Sequence, residues 1–104
     1  MYAGEIGVRA RYDLSSLNVM VVEDNKNMQN LLRAILNALG VRNIREMSTA
    51  ADAFQELRHF EADIIISDWN MAPMDGLAFT RKVRTDPGSP NPYVPIIMLT
   101  GHTE

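Results

Sequence analysis

The chain has 104 residues, enough for one domain, and a formal charge of −3 from 13 acidic and 10 basic side chains. That balance argues against a generic basic grip on nucleic acid, and the absence of cysteine excludes disulfides, zinc thiolates and thiol catalysis. With 46% hydrophobic and 22% charged residues, no apolar run near the roughly 20 residues a membrane span needs and no signal-peptide core, the expected product is an ordinary globular protein of the cytoplasm.

Residues 1–17 show neither helical nor strand periodicity and read as an N-terminal arm. Asn18 to Val22 is a short, continuous apolar run rich in β-branched residues, the pattern of a strand buried on both faces of a parallel sheet. It ends abruptly in Glu23, Asp24 and Asn25. A helix follows, because Met28, Leu31, Leu32, Ile35, Leu36 and Leu39 recur at three- and four-residue steps. Asn25 is its expected N-cap, and Gly40 stands where a C-terminal glycine belongs.

Residues 42–47 read weakly as a strand. Ser48 or Thr49 can cap a second helix with Ala50, Ala53, Phe54 and Leu57 on its inner face. Residues 63–68 form another apolar strand that ends in Asp68. Beyond Pro73, Asp75 can cap a third helix over about 76–85, with Phe79 and Val83 inward. Four of the five prolines fall within 86–95, which makes that segment a loop. The last strand is expected over Val94–Thr100.

Strands and helices thus alternate, the signature of an α/β fold with a parallel sheet and right-handed crossovers. In open sheets of this class, ligands bind at the carboxyl ends of the strands. Glu23, Asp24, Asp68 and Thr100 all stand at such ends, with Asn70 close by. Crowded carboxylates repel and raise one another's pKa values. A hard, oxygen-seeking cation relieves the repulsion, and Mg²⁺ suits the donor set. One carboxylate can then attack a phosphoryl group while the metal neutralises the phosphate oxygens.

Three segments in order, VMVVEDN, IIISDWNMAPMDG and PIIMLTGHTE, resemble the receiver domain of bacterial two-component response regulators, of the chemotaxis type. The resemblance covers about 18–104, so the chain divides into an arm over 1–17 and a C-terminally shortened receiver domain over 18–104. It implies a flavodoxin-like, doubly wound sheet of order 2-1-3-4, without the family's fifth strand and last two helices. It implies that Asp68 accepts the phosphoryl group and that Asp24 and Asp68 bind Mg²⁺. Asn70 adds its backbone carbonyl, and Glu23 contributes, often through water. Thr100 matches the hydroxyl that turns toward the phosphoryl group. Gly101 matches the small residue beside it, and His102 a variable position that tunes turnover. The implied partner is a sensor histidine kinase or phosphotransfer protein. The implied chemistry is at most self-catalysed phosphotransfer and autodephosphorylation, with neither nucleic acid nor membrane bound.

The sequence departs from the family pattern in two places. Proline sits one position late, in Met71-Ala72-Pro73, although Asp75-Gly76 stays in register. The family's lysine of the fifth strand has no counterpart, since Lys26 and Lys82 are the only lysines and neither matches its place. A chain ending after the fourth strand is expected to leave sheet surface bare and to self-associate. That supports a second reading, a non-switching interaction module. A dinucleotide binder is disfavoured because no glycine-rich loop follows the first strand. An aspartyl phosphatase of another α/β family would want an acid where Asn70 stands. The remaining conspicuous residues have plainer expectations. His59 belongs on a helix surface, the methionines fill core, and Arg81, Lys82 and Arg84 form a solvated face.

Overall fold

The computed structural model describes residues 13–99. A short 3₁₀ turn, Leu14–Ser16, precedes β1 (Asn18–Val22), α1 (Lys26–Ala38), β2 (Asn43–Met47), α2 (Ala50–Glu56), β3 (Ile64–Asp68), α3 (Gly76–Thr85) and β4 (Ile96–Leu99). The four strands form one parallel sheet of order β2-β1-β3-β4, as the family resemblance implied. From Val19 onward central β1 is apolar and fully buried, as expected of a strand covered on both faces.

The helix ends follow side-chain chemistry legible in the sequence. Asn25 Oδ1 accepts the Met28 N–H at 2.9 Å, Thr49 Oγ1 the Asp52 N–H at 3.1 Å, and Asp75 Oδ1 the Ala78 N–H at 2.8 Å. Each satisfies an N–H that the first helical turn leaves unpaired, an effect of about 1 kcal/mol. Helix α1 stops in a Schellman turn. Gly40 takes φ 101°, Gly40 N–H donates to Asn37 O and Val41 N–H to Leu36 O, both at 3.0 Å. Leu36 and Val41 then meet in the core.

Two cores result, one on each face of the sheet. The larger gathers Met20, Val22 and Ile65 under α2 and α3, with Phe54, Leu57, Phe60, Phe79 and Val83. The smaller holds Val19, Val21, Leu36 and Val41 under α1. Leu14 and Leu17 of the expected arm pack against it; residues 1–12 lie outside the described segment.

Strand β4 begins at Ile96, two residues later than expected, because Pro95 has no N–H to give to a ladder. Val94 is buried in the preceding loop instead. That loop is tied down by Arg84, which donates to Pro92 O, and by Asn91, which donates to Ala62 O, both at 3.0 Å.

Candidate functional site

Pairing register builds the acidic site. Val22 sits opposite Ser67 on adjacent strands, so Glu23 and Asp68 leave the sheet side by side. Asp24 follows at once. One carboxylate oxygen from each of Glu23, Asp24 and Asp68 lies within 4.8 Å of the others. On its other side Asp68 pairs with Leu99, and Trp69 N–H donates to Leu99 O at 2.9 Å, which ties the end of β3 to β4.

The three acids differ in environment. Glu23 is only 4% exposed, Asp68 is half-buried and Asp24 faces solvent. Glu23 is held at both ends: its N–H donates to Met47 O at 2.9 Å, and its Oε2 accepts the Asn25 N–H at 3.0 Å. Burial pushes the Glu23 carboxyl above its ordinary range, and the neighbouring Asp68 and Asp24 charges push the same way, against the Asn25 hydrogen bond. A clustered, partly buried set of hard oxygen donors fits a small divalent cation better than it fits three mutually repelling anions.

Asn70 lies exposed in the turn after β3, and Trp69 beside it is 44% exposed. The Ala72–Pro73 peptide in the same turn is cis. Thr100, Gly101 and His102 lie outside the described residues.

Two residues not singled out from sequence support this corner. Gly76, at the start of α3, donates its N–H to Trp69 O at 2.9 Å. A Cβ there would collide with the Asp68 carbonyl and lie 2.6 Å from Met98 Sδ, so glycine allows α3 to press directly on the Asp68–Trp69 backbone. Gln29 is 2% exposed and reaches from α1 to the Glu23 carbonyl at 2.6 Å. Its signal in the sequence is a polar side chain in the row Gln29, Leu32, Leu36, one helical face of which the other two members are leucine.

The remaining polar clusters lie elsewhere. A shallow cavity of about 370 Å³, lined by Leu57, Arg58, His59, Glu61, Pro90 and Asn91, opens at the amino end of the sheet, away from the acids. His59 is exposed there, as expected. Of the basic residues on α3, Lys82 is not simply solvated. It pairs with Asp86 at 2.9 Å and lies 4.6 Å over the Phe54 ring, while Arg84 anchors the proline-rich loop. Among the described residues no helix is long and apolar enough to cross a membrane.

Known proteins are similar to this chain in sequence and in architecture. The family profile described as "Response regulator receiver domain" matches residues 19–104. The chemotaxis protein CheY1 of Helicobacter pylori is 33% identical over 85 residues, spanning 81% of this chain and 67% of that protein. Among solved structures, chemotaxis protein CheY4 of Vibrio cholerae superposes with a TM-score of 0.73 at 28% identity, covering 85% of this chain and 71% of the other. The receiver domain of histidine kinase CKI1 from Arabidopsis thaliana, complexed with Mg²⁺ and BeF₃⁻, also reaches a TM-score of 0.73, at 26% identity over 88% of this chain and 70% of its own.

Proposed function

The chain belongs to the response regulator receiver family of two-component signalling, and from that membership we propose that it accepts a phosphoryl group on Asp68 in a Mg²⁺-dependent reaction. The observation that carries this reading is the convergence of Glu23, Asp24 and Asp68 within 4.8 Å at the ends of two adjacent strands. Asp68 is the nucleophile. Its carboxylate oxygen attacks phosphorus, the bond from phosphorus to the donor's imidazole nitrogen breaks, and the imidazole leaves. Hydrolysis of the acyl phosphate later restores the carboxylate.

Asp24, Asp68 and the Asn70 carbonyl would hold the cation directly, with Glu23 acting through water. The cation supplies charge neutralisation at the phosphoryl oxygens. The hard oxygen donors of the site suit such a cation, and the Mg²⁺ complex of the CKI1 receiver domain is a precedent in a similar protein. Thr100 is assigned the hydroxyl that turns toward the phosphoryl group. The donor is a sensor histidine kinase or a phosphotransfer protein, and the working compartment is the cytoplasm.

Incubation with acetyl phosphate and Mg²⁺, read by intact mass, tests the reading. Labelling that requires Mg²⁺ and vanishes in Asp68→Asn supports it. No label on the native chain, or label retained in Asp68→Asn, overturns it.

A second reading, a self-associating interaction module, is favoured by one observation: Met28, Leu31 and Ile35 on α1 and Leu39 at its C-cap are all exposed. Large exposed apolar patches mark interaction surfaces. A monodisperse monomer in light scattering at micromolar concentration removes that reading.

A further inference from the structure

We propose that Gln29 is a positioning residue for the acidic site: its side-chain amide locks the Glu23–Asp24 peptide in the orientation that a small octahedral cation demands. The inference rests on the Mg²⁺ reading above. Three polar or charged residues are buried among the described residues, Glu23, Gln29 and Ser67, and all three belong to this corner of the sheet. Gln29 stands on the row of α1 that faces the sheet, in line with Leu32 and buried Leu36. A leucine would fill that place without a polar cost, whereas a buried amide costs free energy unless it is hydrogen-bonded.

Its shortest hydrogen bond reaches the acidic segment, and the others anchor it to its surroundings. Nε2 donates to the Glu23 carbonyl at 2.6 Å and to Ser48 Oγ, just past β2, at 3.4 Å. Oε1 accepts from Lys26 Nζ at 3.4 Å, and the Gln29 backbone N–H donates to Asn25 O at 2.9 Å. The Glu23 carbonyl belongs to the peptide that joins Glu23 to Asp24. Holding that oxygen fixes the plane from which both side chains depart. Asp24 is itself exposed, so its placement depends on such backbone restraint.

Mg²⁺ and Ca²⁺ distinguish positioning from simple support of the fold. Mg²⁺ requires near-ideal octahedral geometry at short distances, whereas Ca²⁺ tolerates longer and less regular contacts. A variant that only unfolds part of the protein lowers the apparent affinity for both ions by one common factor. A variant that frees the Glu23–Asp24 peptide penalises Mg²⁺ more.

The experiment is a titration of the full chain and of Gln29→Met with Mg²⁺ and with Ca²⁺, read by Trp69 fluorescence and by calorimetry. In Gln29→Met the Mg²⁺ dissociation constant is expected to rise about tenfold, the scale of losing an outer-shell partner. The Ca²⁺ constant should rise by about threefold or less. Equal losses for the two ions, or no loss, overturn the inference. Ser48→Ala removes the longer bond and leaves Gln29 packed. It should shift the ratio of the two constants in the same direction by about twofold, and it decides the matter if Gln29→Met does not fold, an unchanged ratio being the negative result. Failure of the native chain to bind Mg²⁺ overturns the metal reading and this inference together. Binding by the native chain with an unchanged ratio in the variants overturns this inference alone.

Discussion

The two faces of the sheet carry similar helices and meet opposite fates. Under α2 and α3, Phe54, Leu57, Phe60, Phe79 and Val83 are all buried, and Phe79 and Val83 have no exposed surface at all. Over the other face lies α1, whose apolar residues form two rows. Leu32 and Leu36 turn to the sheet with Gln29, while Met28, Leu31, Ile35 and Leu39 stay 39–61% exposed. Ile97 of β4, on the α1 side of the sheet, is 48% exposed as well. An apolar stripe therefore states what a helix could bury. Burial itself needs a second surface, and two helices crossing one face supply it where a single helix does not.

The widest expected gap between the faces comes from Phe79→Ala. It deletes a fully buried ring and should cost about 3–5 kcal/mol, seen as a large drop in the urea midpoint. A loss below about 1 kcal/mol would show that the α2–α3 core is loosely packed.

Gly76→Ala probes the place where that face meets the site. The added methyl has the Asp68 carbonyl and Met98 Sδ in its way, so a loss of about 1–3 kcal/mol is expected, with weakened acetyl phosphate labelling. Stability at native level would mean that α3 can slide away without cost.

Glu23→Gln moves in the other direction. It removes one of three crowded carboxylates, a buried one whose ionisation is already opposed by burial. Without added metal the melting temperature at neutral pH should rise by roughly 3–5 °C, while Mg²⁺ affinity falls. A lower melting temperature would mean that the Asn25 hydrogen bond outweighs the repulsion.

On the open face, Leu31→Gln should change stability by no more than about 0.5 kcal/mol. It should reduce any association seen by sedimentation. A core-sized loss would show that the outer row of α1 is covered in solution.

The smallest effect is expected at the surface pair Lys82–Asp86, beside Phe54. Lys82 holds the Asp86 carboxyl below its ordinary value, with help from the Gly88 N–H. A depressed acid contributes stability above its unfolded pKa and loses it as pH falls through the folded one. Native protein should therefore melt slightly above Asp86→Asn at neutral pH, with the gap closing below about pH 4. A gap that persists at pH 2 would assign the difference to packing.

Much of this was legible in the chain. Asn25, Thr49 and Asp75 cap the helices as their side-chain chemistry suggested, and Gly40 closes α1 with a positive φ. Glu23, Asp24 and Asp68 meet as their places at strand ends implied. Gln29 and Gly76 were not legible as parts of the site. One looks like an interruption of an apolar row and the other like a turn residue. Their meaning comes from backbone that each meets only once the chain is folded, the Glu23 carbonyl for Gln29 and the Asp68 carbonyl for Gly76.

The sequence by itself determined the elements, their order and the residue types at the strand ends. Periodicity, caps and proline act over a few residues, and those signals are local. Tertiary structure alone decided that Glu23 is buried while its neighbour Asp24 is exposed, because β1 ends against Met47 of one strand and beside Asp68 of another. It also decided which row of α1 meets the sheet. Both outcomes depend on pairings between residues distant in sequence, and those pairings settle which of several equally apolar or equally acidic side chains lose their water.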